Sequence, residues 1–424
     1  MRKLALMWKV KELRMKVLFV VAILALFRLA AAIPIPGVDT NQLEAFFSSN
    51  EFFGLLNVFS GGSLEQMSVM MLGVGPYITA TIILQLLTMI FPQLKQIYYE
   101  EGEMGRQKFN QYGRMLTVPL AALQGFAFLR LLGSQGVLVN LDFFTMATNI
   151  TIVTAGSIFL MWLGELISEK GIGNGVSLLI FAGIVSGVPQ GITRTIQTFE
   201  PSQLPGLVAL LVIATIVIAT VVLIDEAQRK VPIVYAKRVR GNKMYGGVQT
   251  HLPIRVNSAG VIPIIFALSI VLFPGMIASF LINSETVWVA NLANNMQGFI
   301  TGTSWTYVIV YFLLVFAFTY FYTAIVFDPQ EVAKNVQRAG GFIPGIRPGE
   351  PTGRHLGKII SRTTLIGATF LASIAVMPNI AQQFFSSGIS LAIGGTSVLI
   401  VVSVVLETVR QIDGQLTMRE YEDA

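Results

Sequence analysis

Residues able to make or break bonds are scarce in this 424-residue chain. It has no cysteine, which removes disulfides, thiolate metal sites and a thiol nucleophile together. Its two histidines, His251 and His355, are too far apart to read as a metal pair, and no HExxH motif occurs. The nearest match to a phosphate loop, Gly353 to Lys358, has one residue too few between its glycines, with Ile359 where Ser or Thr should follow. The GIGNG run from Gly171 to Gly175 lacks GxGxxG spacing and opens an apolar helix, so it reads as a tight turn between helices. No nucleophile stands in a recognisable relation to a base, so the chain is expected not to be an enzyme and to need no cofactor. Any energy for transport must come from outside it.

The elements around these residues belong to a membrane. Apolar residues make up 54% of the chain and charged residues only 12%, against about 25% charged in ordinary soluble proteins. One water-facing domain has no interior for so much apolar surface, and a bilayer must serve as solvent. Runs of roughly 17 to 25 apolar residues bounded by Gly, Pro or charge give ten candidate helices, near 16–33, 76–91, 114–132, 147–167, 175–189, 206–224, 260–282, 305–327, 363–380 and 390–407. The expected class is an all-α polytopic membrane protein. The first run resembles a signal peptide, but Arg28 interrupts it and no small-residue cleavage site follows, so it is kept as a helix.

Net charge is +6, and its placement sets orientation. The connections 34–62, 133–146, 283–304 and 381–389 contain no Lys or Arg, whereas 225–259 holds seven and 328–362 holds six. Arg2, Lys3, Lys9, Lys11 and Arg14 precede the first run, and Lys95, Arg106 and Lys108 lie between the second and third. Both termini and every even-numbered connection are therefore expected in the cytoplasm, with Arg194 the one basic residue in an outer loop. The two long cytoplasmic loops differ in character. Val231 to Val239, a Gly241–Asn242 turn signal and Met244 to Ile254 read as a basic β-hairpin, while GGFIPGIRPGEPTG from Gly340 is too rich in Gly and Pro for a regular element. Loops of this length suggest docking of a cytoplasmic partner.

Two features bear on mechanism. Ser63 to Leu72 has the length of a half-span helix, broken from the next by Gly73, Gly75 and Pro76, and such discontinuity at membrane depth points to a central passage. Polar residues in the spans are neutral: Thr79, Thr81, Gln85 and Thr88, then Asn257, Ser258 and Ser269. Acids are absent from span centres, since Glu165 and Glu407 sit at ends. A proton- or sodium-coupled carrier usually places acids or histidines along its path, so a channel is favoured over the alternative, a secondary transporter of a small solute.

Several long stretches carry a resemblance. They are IPIPGVD (33–39), FSGGSLEQ (59–66), GPYITATIILQLL (75–87), FLMWLGELISEKGIGNGVSLLIFAGIVSG (159–187), YAKRV (235–239), THLPIRVNSAGVIPIIFA (250–267), FIPGIRPGE (342–350) and GGTSVLIVVSV (394–404). In this order and spacing the chain resembles the SecY family, the channel subunits of the protein-conducting translocon. The resemblance implies two inverted, pseudo-symmetric five-helix halves, 1–203 and 204–424, around a central pore. It implies a plug made of Ser63, Leu64, Glu65, Gln66, Met67, Ser68, Val69, Met70, Met71 and Leu72. A constriction ring would comprise Val74, Ile78, Val176, Ile180, Ile265 and Ile400; the spacing of four within its first two pairs lets each pair share a helix face. Val at 74 and 176, where Ile is frequent, implies a slightly looser seal. Thr79, Gln85, Asn257 and Phe273 match positions facing a lateral gate. The loops would dock the SecA motor ATPase and the ribosome, with Arg347 foremost and Arg229, Lys230, Lys237, Arg238 and Arg240 less specific. SecE and SecG would be companion subunits, with signal-sequence-bearing polypeptides and membrane lipids as the other partners. The implied location is the bacterial cytoplasmic membrane.

Overall fold

The structure is a computed structural model describing residues 10–37, 64, 67–99, 101–134, 137–138, 142–197, 201, 204–235, 238–240, 243–245, 249–281, 288–292, 305–384 and 395–422. Its helices are α1 (Lys11–Ala31), α2 (Gly75–Ile90), α3 (Pro92–Tyr99), α4 (Gly102–Ser134), α5 (Phe143–Lys170), α6 (Gly175–Gln197) and α7 (Leu204–Glu226). Strands β1 (Gln228–Tyr235), β2 (Arg238–Arg240), β3 (Lys243–Tyr245) and β4 (Gln249–Arg255) follow. After them come α8 (Ile262–Leu281), α9 (Trp305–Val326), α10 (Pro329–Arg338), β5 (Gly341–Phe342), α11 (Glu350–Phe384) and α12 (Gly395–Glu422).

The described residues of each apolar run fall mainly on a helix. The Val- and Ile-rich sequence of α7 would be a poor helix in water, but in lipid every backbone N–H and C=O must be satisfied within the segment, and that obligation outweighs propensity. Threonines turn inward to their own helix in the same way: the hydroxyls of Thr117, Thr319 and Thr323 donate to the carbonyls of Gly113, Val315 and Thr319 at 2.7 Å each. By length and composition, three described stretches suffice to cross a membrane: Phe143–Lys170, Trp305–Arg338 and Glu350–Met377. A fourth is added if Gly75–Ile90 and Pro92–Tyr98, bent by 115°, form one span.

Contacts divide the chain into two compact units. The first comprises Met1–Pro201, Ser269–Tyr307 and Ser387–Ala424, and the second comprises Ser202–Leu268 and Val308–Ser386.

The second unit carries both long loops. The expected hairpin forms: β1 and β4 pair antiparallel from Gln228↔Arg255 to Val234↔Gln249, and β2 and β3 pair up to Arg240↔Lys243, while the Gly241–Asn242 turn signal lies outside the described residues. The Gly- and Pro-rich loop corrects its expectation. Gly341–Phe342 adds to the free edge of β1 through Val234↔Phe342 and Tyr235↔Gly341, giving the order β4-β1-β5. The glycine content that argues against a strand is what permits this one, because a Cβ on Gly341 would stand 3.0–3.1 Å from Tyr235, Ile233 and Val336. Val231, Ile233, Ile254, Ile343, Leu356 and Ile360 close a small core beneath this sheet. Asp328 caps α10 by accepting from the N–H groups of Gln330 (2.8 Å) and Glu331 (3.3 Å). Helix α11 starts at Glu350, inside the same Gly/Pro-rich stretch and well before the expected span start at 363.

Candidate functional site

The half-span helix expected from Ser63 to Leu72 does not form. Leu64 and Met67 to Val74 instead make successive turns, in which the N–H of Met67 donates to Leu64 (3.0 Å), that of Met71 to Ser68 (2.9 Å) and that of Gly73 to Met70 (2.8 Å). The N–H of Ile35 donates to the Met67 carbonyl and that of Val69 to the Ile33 carbonyl, each at 2.9 Å, so the segment pairs with the chain leaving α1. Met67 at φ 44° and Gly73 at φ 58° are left-handed, which ends any α-helix between them. Ser63, Glu65 and Gln66 lie outside the described residues.

This turn segment is held from below by α4 and α5. Leu64, Met67 and Met71 pack with Phe128, Leu129, Leu132 and Val153, and Ser68 is fully buried. A Cβ on Gly156 would collide with the Val69 carbonyl oxygen, and the neighbouring Ser157 hydroxyl donates to the Gly73 carbonyl at 3.0 Å. Two turns further along α5, a Cβ on Gly164 would stand 3.2 Å from Val176, and one on Gly175 would overlap the Gly164 carbonyl. One helix thus carries both the approach to Val74 and the start of α6. These small residues allow backbone to rest on backbone, as membrane helix interfaces require.

Five expected ring residues lie in the first unit: Val74, Ile78, Val176, Ile180 and Ile400. Ile180 is 2% and Ile400 1% exposed, Val74 and Ile78 are buried, and Val176 is half-buried. Ile265, also buried, belongs to the second unit.

The four expected gate residues behave differently from one another. Thr79 donates its hydroxyl to Gly75 in its own helix at 3.0 Å. Gln85 keeps a buried side-chain oxygen with no hydrogen-bond partner among the described residues. In the second unit, Asn257 donates to Asp225 at 2.7 Å while its own Oδ1 is buried and finds no partner among the described residues. The side chain of Phe273 lies outside the described residues.

Arg347 is exposed on a loop fixed at both ends. The Ile346 N–H donates to Ile343 (3.0 Å), the Thr352 hydroxyl donates to the Arg347 carbonyl (2.9 Å), and Gly345 (φ 82°) and Gly349 (φ 95°) supply the left-handed turns. Arg229 and Lys230 are exposed on β1. Arg238 and Arg240 lie in β2, their side chains outside the description, and Lys237 is outside it altogether.

Two arrangements escape sequence reasoning. Arg114 and Glu165, read as a helix border and a helix end, form an ion pair at 2.8 Å between α4 and α5. Opposite charges near the borders of two consecutive apolar runs were the available signal. The second is the GIGNG turn: the Gly173 N–H donates to Gln411 Oε1 at 2.8 Å, joining positions 238 residues apart. No local pattern announces that bond.

A profile of the SecY family matches residues 68–409. The chain belongs to the SecY family. It is 40% identical over 439 residues to the protein translocase subunit SecY of Corynebacterium glutamicum, covering 98% of each chain. To the Escherichia coli subunit of the same description it is 41% identical over 421 residues, covering 97% of this chain and 94% of that one. Among solved structures it is similar to one described as a protein-conducting channel, with TM-score 0.61 and 21% identity over 93% of this chain and 90% of that one. It is also similar to Sec61 in the canine ribosome-channel complex from the endoplasmic reticulum, with TM-score 0.57, 20% identity and the same coverage.

Proposed function

We propose that this chain is the central subunit of a protein-conducting channel, passing unfolded polypeptides across the bacterial cytoplasmic membrane and releasing apolar segments sideways into lipid. The observation that carries this reading is full-length relatedness to translocase subunits at about the same identity in distant bacteria. The chain is a channel subunit and not an enzyme, in keeping with a sequence in which no nucleophile stands in a recognisable relation to a base.

In the proposed arrangement ten transmembrane helices form two inverted halves, 1–203 and 204–424, with both termini cytoplasmic. The asymmetry of Lys and Arg between connections supports that orientation. Val74, Ile78, Val176, Ile180, Ile265 and Ile400 form a ring whose branched aliphatic side chains exclude water and ions by dewetting. They offer a passing chain of arbitrary sequence neither charge nor hydrogen bond to stick to. Residues 63–72 plug the ring from outside, and the turns of Leu64 and Met67 to Leu72, short and not part of any helix, suit a displaceable stopper.

The gate reading rests on Thr79, Gln85, Asn257 and Phe273. The side-chain oxygens of Gln85 and Asn257, buried without a partner among the described residues, support a seam that opening to water or to a client would relieve, at about 1–3 kcal/mol for each unsatisfied group. SecE and SecG are the proposed companion subunits. SecA and the ribosome are the proposed cytoplasmic partners, meeting Arg347 and the basic hairpin residues Arg229, Lys230, Lys237, Arg238 and Arg240.

The test of docking is charge reversal at a residue with no packing role. Arg347→Glu is expected to reduce SecA-stimulated transport into reconstituted vesicles by about tenfold, the equivalent of about 1.4 kcal/mol of binding, with thermal stability unchanged. Lys334→Glu in the same loop is expected to have little effect. Equal transport by parent and Arg347→Glu would remove this residue from the docking surface.

A further inference from the structure

We propose that the GIGNG turn is a register lock: by binding the cytoplasmic end of α12, Gly173 and Gln411 fix how Ile180 of α6 and Ile400 of α12 stand against each other along their helices, and so set how tightly the resting ring closes. The inference rests on the ring reading above and assigns positioning roles to residues outside the ring.

Three elements converge on this turn, all within the first unit. Gly173 donates its N–H to Gln411 Oε1 at 2.8 Å. Its φ of +92° suits glycine, and a Cβ there would lie 3.0 Å from Leu178 Cδ1 and 3.3 Å from Thr408 Oγ1. The adjacent Ile172 is buried against Leu13 of α1, with Val10, Val17, Ile412 and Leu416 packed around them. On the other side, a Cβ on Gly171 would stand 2.8 Å from Val20 of α1. The start of α6 is fixed as well: Asn174 Oδ1 accepts from the Ser177 N–H at 3.2 Å, and Ser168 accepts from the Gly175 N–H at 2.9 Å. The turn is therefore clamped to α12 and α1 while it launches α6.

Distances along the helices give the clamp its consequence. Ile180 is seven residues beyond Gly173, and Ile400 is eleven residues before Gln411. At 1.5 Å per residue the two isoleucines stand about 10 Å and about 16 Å along their helices from the bond that joins them. Longitudinal slip of α12 against α6 would separate them, and the Gly173–Gln411 bond resists that slip at its cytoplasmic end. Gln411 is exposed, so its loss leaves Gly173 solvated and creates no buried void. It acts on the ring through Ile180 and Ile400, without contact with a passing chain.

The experiment compares Gln411→Ala, Gln411→Glu, Gly173→Ala and Ile180→Ser in the full-length chain purified with its companion subunits, reading resting ion conductance in planar bilayers and melting in detergent. Gln411→Ala is expected to raise resting conductance about two- to tenfold, the range one lost hydrogen bond supports, with melting as in the parent. Gln411→Glu, which keeps an acceptor oxygen, is expected to restore the parent value, and Gly173→Ala to leak more than Gln411→Ala. If Ile180→Ser leaks and Gln411→Ala does not, the lock is refuted and the ring stands. If neither leaks, the ring reading fails and the lock with it. Equal leakage by Gln411→Glu and Gln411→Ala would also overturn the hydrogen bond as the cause.

Discussion

Ile180→Ser and Ile400→Ser, made one at a time, are each expected to give the resting channel an ion conductance about tenfold above the parent, equivalent to about 1.4 kcal/mol lost from the dewetted state. Both residues are almost wholly buried, at 2% and 1% exposed, so each substitution also removes packing worth about 2–5 kcal/mol. Lower stability alone is therefore no evidence for a ring. The control is Leu160→Ala, a residue 1% exposed on α5 and not assigned to the ring, which should melt earlier and stay closed. Clients with weak signal sequences should be exported more readily by the two serine variants, because part of the work of opening has been removed. A conductance rise in Leu160→Ala equal to theirs would reduce the ring to ordinary packing.

The second large effect concerns the turn segment after α1. Deleting residues 63–72 is expected to leave a channel that still moves clients but leaks ions at rest. The deletion takes Leu64, Met67 and Met71 out of the cluster on α4 and α5, so some loss of stability is expected with it. Gly156→Val reaches the same segment with one side chain: its Cβ would collide with the Val69 carbonyl and push the turn off α5. Both variants should leak, and both should keep client transport. A folded Gly156→Val protein with parent conductance, together with a deletion that fails to assemble, would make the segment a structural brace and not a seal.

Helix positions were readable from the sequence because apolar runs and their bounding glycines, prolines and charges are local, and lipid enforces helix wherever such a run is long enough. The hairpin from Gln228 to Arg255 was readable for a similar reason, since two extended stretches flank a local Gly-Asn turn signal in the sequence. Failures came where local composition and long-range contact disagree. Residues 63–72 have helical composition, but backbone bonds to Ile33 and Ile35 and left-handed Met67 and Gly73 make turns instead. The Gly- and Pro-rich loop became strand β5 because a sheet edge more than a hundred residues earlier, at Val234 and Tyr235, accepted a strand with no side chain at Gly341. Site residues were reached through motif resemblance alone: an Ile in an apolar helix carries no mark that separates pore lining from packing. The polar details of the site, Arg114 with Glu165 and Gly173 with Gln411, depend on helix pairing that no single segment encodes.

The absence of cysteine makes the most direct measurement a clean one, since any thiol introduced is the only one in the chain. Ile180→Cys, Ile400→Cys and, as comparison, Val405→Cys on an exposed face of α12 would be assembled separately with a client arrested in transit and carrying one cysteine of its own. A polypeptide passing through the proposed ring should form disulfide cross-links with Ile180→Cys and Ile400→Cys, at client positions that shift with the point of arrest, and none with Val405→Cys. Cross-linking at Val405→Cys with none at the other two would place the passing chain outside the ring and contradict the account.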